Sequence, residues 1–400
     1  MEATEAQESA ETAVKAVEAA IEMASVTEAK PAEAKQQEAE PVKGGGKTAD
    51  CYERIKEEFD LDMMGAKILV VGVGGGGNNT ISRLTDIGIL GAKTVAMNTD
   101  AKHLGMTNAQ EKLLLGREVT RGLGAGGYPG VGKKATEESE REIKKMLEGI
   151  DMLFLVAGMG GGTGTGGAPV IARIAKEMGA IVIANVTMPF KVEGARMNKA
   201  EDGLYALRQV SDTVIAIEND RLLKIAGNLP LKQAFYVADD LVASMIKGIT
   251  ETISQPSLVN LDYADVKAIM QIGGVSTVGF GESDGKERAE EAIIRAMSHP
   301  LLDVDYHGGT GALIHITGGY DLKLEEVSRI GEYVSKQLDP DAPVIWGARI
   351  DPAYKNRLKV ITVVTGVKSP YVMGPLGAVT HALPVPERNI HMELGIPLLA

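Results

Sequence analysis

The residues of this chain best suited to chemistry form a glycine-rich loop at positions 158–167. An apolar run, 152–157, precedes the loop, and residues 168–175 after it have the spacing of an amphipathic helix, which predicts a buried strand, a loop and a helix. Glycines place no side chain between a ligand and the backbone N–H groups, and the helix presents the positive end of its dipole. This pattern favours phosphate binding. The alternative, a flexible glycine turn, fits poorly between a hydrophobic strand and a helix.

We call the loop at 72–79 the first glycine loop and the loop at 158–167 the second. The first glycine loop follows the apolar run 67–71. Three of its glycines satisfy the dinucleotide-binding pattern GxGxxG, which is a weak signal alone because four consecutive glycines match many templates. The next predicted strand, 94–97, ends in Asn98-Thr99-Asp100. Asp100 therefore stands roughly where a Rossmann fold places its ribose-binding carboxylate.

A third glycine loop, at 121–132, nearly spells a P-loop. Lys134 stands where a P-loop needs Ser or Thr to hold magnesium, and no strand pattern precedes the loop. We therefore reject a Walker A motif here and predict a helix over 135–147.

Strand and helix patterns alternate along the first half of the chain, with further strands at 181–186 and 214–217. This alternation predicts an α/β fold of Rossmann type, with a mostly parallel sheet, helices on both faces and ligands at the carboxyl ends of the strands. Residues 231–254 are apolar at three- and four-residue steps, which predicts a helix about 36 Å long. It would link this domain to a second, smaller α/β region at 267–367.

The composition excludes several classes of protein. A net charge of −12 argues against a nucleic-acid partner, because phosphate contacts need cationic side chains. No apolar run approaches the ~18 residues that span a bilayer, so direct membrane insertion is not expected. The single cysteine, Cys51, excludes an internal disulfide and fits a reducing cytoplasm. The six histidines form no zinc motif, so no metal ligands are predicted.

Both ends of the chain differ from its centre. Residues 1–47 are rich in Glu, Ala, Lys and Gln, and they predict a disordered acidic tail. Residues 368–400 contain five prolines and predict a flexible, extended tail. That tail ends in apolar residues at 392–399, which indicate either a docking motif or a strand packed on the body of the protein.

Two aspartates, Asp262 and Asp265, follow the predicted central helix and lie three residues apart. At this spacing they share a face if a helix begins between them. Carboxylates at such positions cap helix N-termini or act in catalysis, and the residues alone leave both interpretations open.

Together these motifs resemble the FtsZ/tubulin family, in its archaeal FtsZ form. The resemblance covers roughly residues 50–367 and is carried by five segments: the signature loop at 160–166, the phosphate loop at 74–78, the loops at 98–100 and 124–127, and the segment 260–265. It implies a GTP-binding domain at 48–230, a central helix at 231–255, and a C-terminal α/β domain at 256–367 that begins with the segment 260–265.

The resemblance also implies a role for individual residues. Glu193 and Arg196 would contact ribose and phosphate, Asn219 and Asp239 would read guanine, and Phe235 would pack on the base. Asn260, Asp262 and Asp265 would form the catalytic segment that enters a neighbouring subunit's nucleotide site. The nucleotide-binding loops would contribute Gly74, Gly75, Gly76, Gly77, Asn78, Asn98, Asp100, Ala125, Gly126, Gly127, Gly160, Gly161, Gly162, Thr163, Gly164, Thr165 and Gly166.

The function implied by the resemblance is a cytoplasmic GTPase that uses Mg²⁺, assembles head to tail with copies of itself and builds the cell-division ring at mid-cell. A membrane adaptor would bind through the C-terminal tail. Two alternatives stay open at this point. One is a Rossmann NAD(P) oxidoreductase that uses residues 72–77 and Asp100, and the other is a relative that does not hydrolyse GTP and acts as a scaffold.

Overall fold

The computed structural model describes residues 66–220, 222, 229–254, 257–259, 261–271, 276–298 and 305–367. The predictions for the two tails, for residues 48–65 and for Asn260 lie outside the described residues.

A six-stranded sheet forms the first domain, and all of its strand pairs are parallel. The strand order is β3-β2-β1-β4-β5-β6, so the order reverses beside β1. Ligands bind at such a switch point in open α/β sheets. The predicted parallel sheet is confirmed. Its strands are β1 (Ile68–Val73), β2 (Ala92–Asn98), β3 (Glu111–Leu114), β4 (Met152–Gly158), β5 (Ile181–Met188) and β6 (Thr213–Glu218).

Helices cover both faces of this sheet. Neighbouring residues of β1 enter different cores, because Leu69 and Val71 belong to one buried apolar cluster while Ile68 and Val70 belong to the other. This explains why parallel strands read as continuous apolar runs. The helices are α1 (Gly74–Ile87), α2 (Ala101–Met106), α3 (Arg117–Thr120), α4 (Pro129–Glu138), α5 (Glu140–Met146), α6 (Thr163–Glu177) and α7 (Ala195–Arg208).

The long central helix, α8 (Leu231–Ser254), has the predicted length of 24 residues. It packs against α1 on one side and against two strands of the second domain on the other. Its buried residues Val242, Met245 and Ile249 join the apolar cluster that also contains residues of the second domain. The prediction that this helix links the two domains is confirmed. None of the described helices is both long and apolar enough to cross a membrane.

The second domain is a four-stranded mixed sheet with the order β7-β10-β8-β9. Strand β10 runs antiparallel to β7 and β8, whereas β8 and β9 are parallel. The smaller α/β domain is therefore also confirmed. Its elements are α9 (Tyr263–Gln271), β7 (Ser276–Ser283), α10 (Arg288–Met297), β8 (Gly311–Gly318), α11 (Leu324–Ser335), β9 (Val344–Ile350) and β10 (Leu358–Thr365).

Helix α10 lies unusually close to β7 at Gly281, where an added Cβ would collide with the carbonyl oxygen of Ala292. We expect Gly281→Ala to lower the free energy of unfolding by about 2 kcal/mol, because the helix must move off the sheet. Gly331→Ala is the control, since Gly331 lies inside α11 with open space around its Cα. That change should raise the free energy of unfolding by about 0.5–1 kcal/mol. Chemical denaturation measures both, and equal effects would contradict the steric argument.

Candidate nucleotide-binding site

The two glycine loops meet because β1 and β4 are in register. Val73 pairs with Ala157, so both strands end at the same edge of the sheet. Helix α1 begins at Gly74 directly after β1, with a positive φ of 74° that favours glycine. An added Cβ at Gly74 would lie 3.0 Å from the Gly164 nitrogen, and one at Gly76 would lie 3.2 Å from the Gly158 Cα. The backbones of the two loops therefore touch, which larger residues would prevent.

The third glycine loop packs against the second. An added Cβ at Gly162 would lie 2.7 Å from the Ala125 Cβ and 3.0 Å from the Tyr128 nitrogen. By contrast, added Cβ atoms at Gly127 and Gly161 would meet nothing within 4 Å. These two glycines therefore leave room above the loops, as a cradle for a ligand requires.

The carboxyl end of strand β2 lies beside the same glycine loops. The Thr99 and Thr163 hydroxyl oxygens are 2.7 Å apart, which joins β2 to the second glycine loop. Asn98 accepts a hydrogen bond from the Asp100 N–H at 3.2 Å. The Asp100 carboxylate accepts from the His103 N–H at 3.0 Å and so caps α2. Asp100 lies at the predicted edge, and one of its oxygens is already engaged in this cap.

Two helix N-termini point into the cradle. Helices α1 and α6 begin at Gly74 and Thr163, and their first N–H groups have no acceptor within the helix. Among the described residues, the buried Asn78 amide and the buried Thr165 hydroxyl also have no hydrogen-bond partner. Buried polar groups are rarely left unpaired, so these atoms fit a site that is completed by a polar ligand. Together they offer a phosphate both positive dipole ends and hydrogen-bond donors.

Glu193 and Arg196 lie beside the second glycine loop. The Arg196 guanidinium pairs with Glu193, and its Nε donates to the Gly160 carbonyl at 3.4 Å. Glu193 also accepts from the Phe190 N–H at 2.9 Å. Lys199, which the sequence did not indicate, donates from Nζ to the Gly127 carbonyl at 2.9 Å. It is one helical turn after Arg196, and only that spacing on α7 could have suggested it.

The residues assigned to the base lie directly after β6 and on α8. Asn219 follows β6 directly and is half-buried. Phe235 on α8 is 39% exposed, and its ring centroid is 6.0 Å from that of Phe190 at an interplanar angle of 60°. Phe235 thus keeps a free aromatic surface, and Phe190, which the sequence reasoning missed, contacts it from the segment just after β5.

Asp239 lies one turn after Phe235 on α8 and faces α1. Its Oδ1 accepts a hydrogen bond of 2.6 Å from the Thr80 hydroxyl. Burial raises the pKa of Asp239 to about 6, although the Thr80 hydrogen bond and the nearby Arg83 charge both oppose this shift. Sequence reasoning missed Thr80, because nothing local to α1 marks it.

Asp262 and Asp265 form a reciprocal cap at the start of α9. The Asp265 N–H donates to Asp262 Oδ1 at 2.9 Å, and the Asp262 N–H donates to Asp265 Oδ2 at 3.0 Å. The capping interpretation is therefore confirmed. Asp262 is exposed and Asp265 is half-buried, so both carboxylates remain accessible to a partner. The catalytic role stays a prediction.

These aspartates lie at the opposite edge of the large sheet from the glycine loops. The Tyr263 hydroxyl donates to the Asp151 carbonyl at 2.9 Å, and Asp151 directly precedes β4, whereas the second glycine loop follows it. Strand β4 has seven residues and so spans about 23 Å. One subunit therefore cannot bring its own aspartates to its own glycine loops.

The described residues contain no cluster of three or more His, Cys, Asp or Glu side chains that could hold a metal ion.

Comparison with known proteins identifies the class. Residues 67–227 match the GTPase domain of the Tubulin/FtsZ family, and residues 274–368 match the FtsZ family, C-terminal domain. FtsZ 2 of Methanocaldococcus jannaschii is 53% identical over 336 residues, which are 83% of this chain and 87% of that protein. FtsZ 1 of Pyrococcus furiosus is 51% identical over 348 residues, 86% of this chain and 92% of that one. The structure of an empty FtsZ dimer from M. jannaschii superposes with a TM-score of 0.72 at 50% identity, covering 79% of this chain and 92% of that one.

The fold, the glycine loops and the matched GTPase domain define a tubulin-like GTPase. More particularly, the chain belongs to the FtsZ family of cell-division proteins. GTP binding and a role in cell division follow from this membership. The oxidoreductase alternative is wrong, because the domain that carries residues 72–77 is a GTPase domain.

Proposed function

We propose that this protein polymerises head to tail into cytoplasmic filaments of the cell-division ring, and that each GTP is hydrolysed between two subunits. One subunit holds the nucleotide in its glycine cradle, and the next supplies Asp262 and Asp265. The observation that carries this proposal is the position of the two aspartates at the edge of the sheet opposite the cradle.

Head-to-tail stacking satisfies this geometry directly. If the amino edge of one sheet faces the carboxyl edge of the next, the capped start of α9 reaches the neighbour's glycine loops. The same contact repeats at every subunit, so the assembly is open-ended. The dimer solved for the M. jannaschii relative supports self-association.

Each part of the cradle has its own role in the proposal. The loops at 74–78, 98–100, 125–127 and 160–166 hold the phosphates through backbone N–H groups, with the unpaired Asn78 and Thr165 side chains completing the site. Glu193 and Arg196 contact ribose and phosphate.

The base is recognised at the α8 end of the cradle. Asn219 and the Asp239 carboxylate hydrogen-bond guanine, and Phe235 packs on its ring. A carboxylate that accepts from guanine N1–H and N2–H discriminates against adenine, which has neither donor.

Hydrolysis then depends on positioning and electrostatics. Asp262 and Asp265, with Asn260 beside them in the sequence, orient and activate the attacking water. Mg²⁺ bound to the phosphates would neutralise their charge. Because the neighbouring subunit brings these acids to the terminal phosphate, a single chain needs no base beside its own phosphates.

We also propose that the C-terminal tail binds a membrane adaptor. The apolar residues at 392–399 and the five prolines before and among them support a docking segment on an extended connection. Deleting 392–399 should leave filament assembly intact and release the filaments from the membrane in cells. Loss of assembly in vitro would contradict this role for the tail.

The shared site predicts that GTP turnover depends on protein concentration. Across a dilution series we expect the turnover per subunit to fall at least about tenfold once light scattering shows that filaments have disappeared, because the acids are worth a hundredfold or more in rate. Full specific activity in dilute monomer would contradict the shared site. Filaments without turnover at any concentration would instead favour the scaffold alternative.

A further inference from the structure

Thr80 connects the helix that begins at the phosphate loop with the carboxylate proposed to bind the base. It lies in α1, the helix that begins with the first glycine loop, and it is 2% exposed. Its hydroxyl is 2.6 Å from Asp239 Oδ1 on α8, and 3.5 Å from the Gly76 carbonyl oxygen. A hydroxyl has one proton, and the shorter distance assigns it to the carboxylate. Thr80 therefore donates to the group that is proposed to read guanine.

A carboxylate in this position needs support to stay ionised and oriented. Burial disfavours its charge, and Asp240 beside it on α8 adds repulsion. Two groups of α1 oppose these effects, namely the Thr80 hydroxyl and the Arg83 guanidinium. Arg83 is itself engaged, because its Nε donates to Asp240 Oδ1 at 2.7 Å and its guanidinium lies 4.2 Å from the Tyr236 ring centroid. Among the contacts of the described residues, only Thr80 donates a hydrogen bond to Asp239.

We propose that Thr80 is a positioning residue for guanine recognition, which holds the Asp239 carboxylate ionised and in one orientation. This inference rests on the proposed guanine-reading role of Asp239. It also implies that the phosphate and base ends of the cradle are coupled, because the helix that starts at the phosphate loop carries the group that orients the base-reading carboxylate.

The test compares four proteins by equilibrium binding of GDP and IDP between pH 5.5 and 8.5. Diphosphates avoid the contribution of assembly, and hypoxanthine lacks the 2-amino group of guanine. The variants are Thr80→Val, which removes the hydroxyl and keeps the shape, Thr80→Ser, which restores it, and Thr85→Val. Thr85 is the matched control, since its hydroxyl donates within α1 to the Ile81 carbonyl at 2.9 Å.

Thr80→Val should weaken GDP binding about tenfold at pH 7, because a hydrogen bond to a charged group is lost. Its preference for GDP over IDP at pH 8.5 should fall. The acid midpoint of GDP binding should move to higher pH, since the Thr80 hydrogen bond lowers the pKa of Asp239. Thr80→Ser and Thr85→Val should stay within about twofold of the wild type.

Three results would overturn the inference. Thr80→Val could bind both nucleotides as the wild type does, or it could lose GDP and IDP equally with no change in midpoint, which indicates a merely structural role. Thr80→Ser could also fail to restore binding. If Thr80→Val does not fold, Thr80→Ala makes the same test. Asp239→Asn separates the proposed role of Asp239 from that of Thr80. If Asp239→Asn keeps the preference for GDP over IDP, Asp239 does not read guanine. If Asp239→Asn loses that preference while Thr80→Val keeps it, only the positioning role of Thr80 is wrong.

Discussion

Asp262→Asn should lower GTP turnover by about a hundredfold or more without unfolding α9. The amide oxygen of asparagine still accepts the Asp265 N–H, so the cap at the start of α9 is retained. The negative charge that activates the water in the proposed mechanism is lost, and proton transfer by a positioned side chain contributes about 10²–10⁴ in rate. GTP affinity should not change, because Asp262 lies near the amino edge of the large sheet, whereas the cradle of the same subunit lies at the carboxyl edge.

Asp262→Ala is the control that separates fold from chemistry. It removes the cap as well as the charge, so it should lower the free energy of unfolding by about 1 kcal/mol more than Asp262→Asn does. Turnover, nucleotide affinity and light scattering are measured together on both variants. An Asp262→Asn protein that forms filaments and still hydrolyses GTP at the normal rate would remove this residue from the mechanism.

Asp239→Asn should weaken GTP binding by about a hundredfold and shift the base preference towards xanthine. The amide cannot accept both N1–H and N2–H of guanine, so two hydrogen bonds to a charged group are lost. Its NH₂ group can donate to the C2 carbonyl of xanthine, which replaces the guanine amino group. Competition between GDP and XDP measures this change. Asp240→Asn is the matched control, because Asp240 pairs with Arg83 and should leave the base preference unaltered.

Although Asp239→Asn should weaken nucleotide binding, it should stabilise the nucleotide-free protein against unfolding above about pH 6. Burial raises the pKa of Asp239 from 3.8 to about 6, so the folded protein binds this proton more tightly than the unfolded chain does. The stability contributed by this group is therefore present below about pH 4 and is lost as the pH rises through about 6. Above pH 6 the nucleotide-free Asp239→Asn protein should melt at a higher temperature than the wild type. A lower melting temperature at pH 7.5 would contradict the burial cost.

The same carboxyl gives nucleotide binding a pH dependence. A protonated Asp239 cannot accept both guanine donors, so GTP affinity in the wild type should fall as the pH drops through about 6. The Asp239→Asn protein should lack this decline, which binding titrations at constant ionic strength would reveal.

The parts of the fold that the sequence predicts well are those with local signals. Apolar runs followed by glycines predict β1, β4 and the loops after them, and the spacing of apolar residues predicts α8 over all of its 24 residues. The predicted helix at 135–147 is less accurate, because the structure has two helices there, α4 and α5. The break falls at Ser139, whose hydroxyl accepts from the Gly116 N–H at 3.0 Å. That contact joins residues 23 positions apart and leaves no local pattern.

The residues of the site also divide into those with a local sequence signal and those without one. The glycine loops are visible in the sequence, since their backbones approach each other too closely for larger side chains at Gly74 and Gly76. The Thr80–Asp239 contact joins residues 159 positions apart, and the Tyr263–Asp151 contact joins residues 112 apart. Neither contact is predictable from a single sequence, because it depends on how α1, α8 and α9 pack around the sheet. The location of the two aspartates relative to the glycine loops required the structure for this reason.

The separation of cradle and aspartates across one sheet would make the two ends of the proposed filament chemically different. If hydrolysis needs both parts, a filament of n subunits contains n − 1 complete sites. At one end of the filament, the cradle of the last subunit has no neighbouring aspartates, so its GTP stays intact. At the other end, the aspartates of the last subunit have no nucleotide to act on. Each filament would therefore carry a single uncleaved triphosphate as a marker of direction, and that marker would pass to each subunit that joins at the end with the exposed cradle.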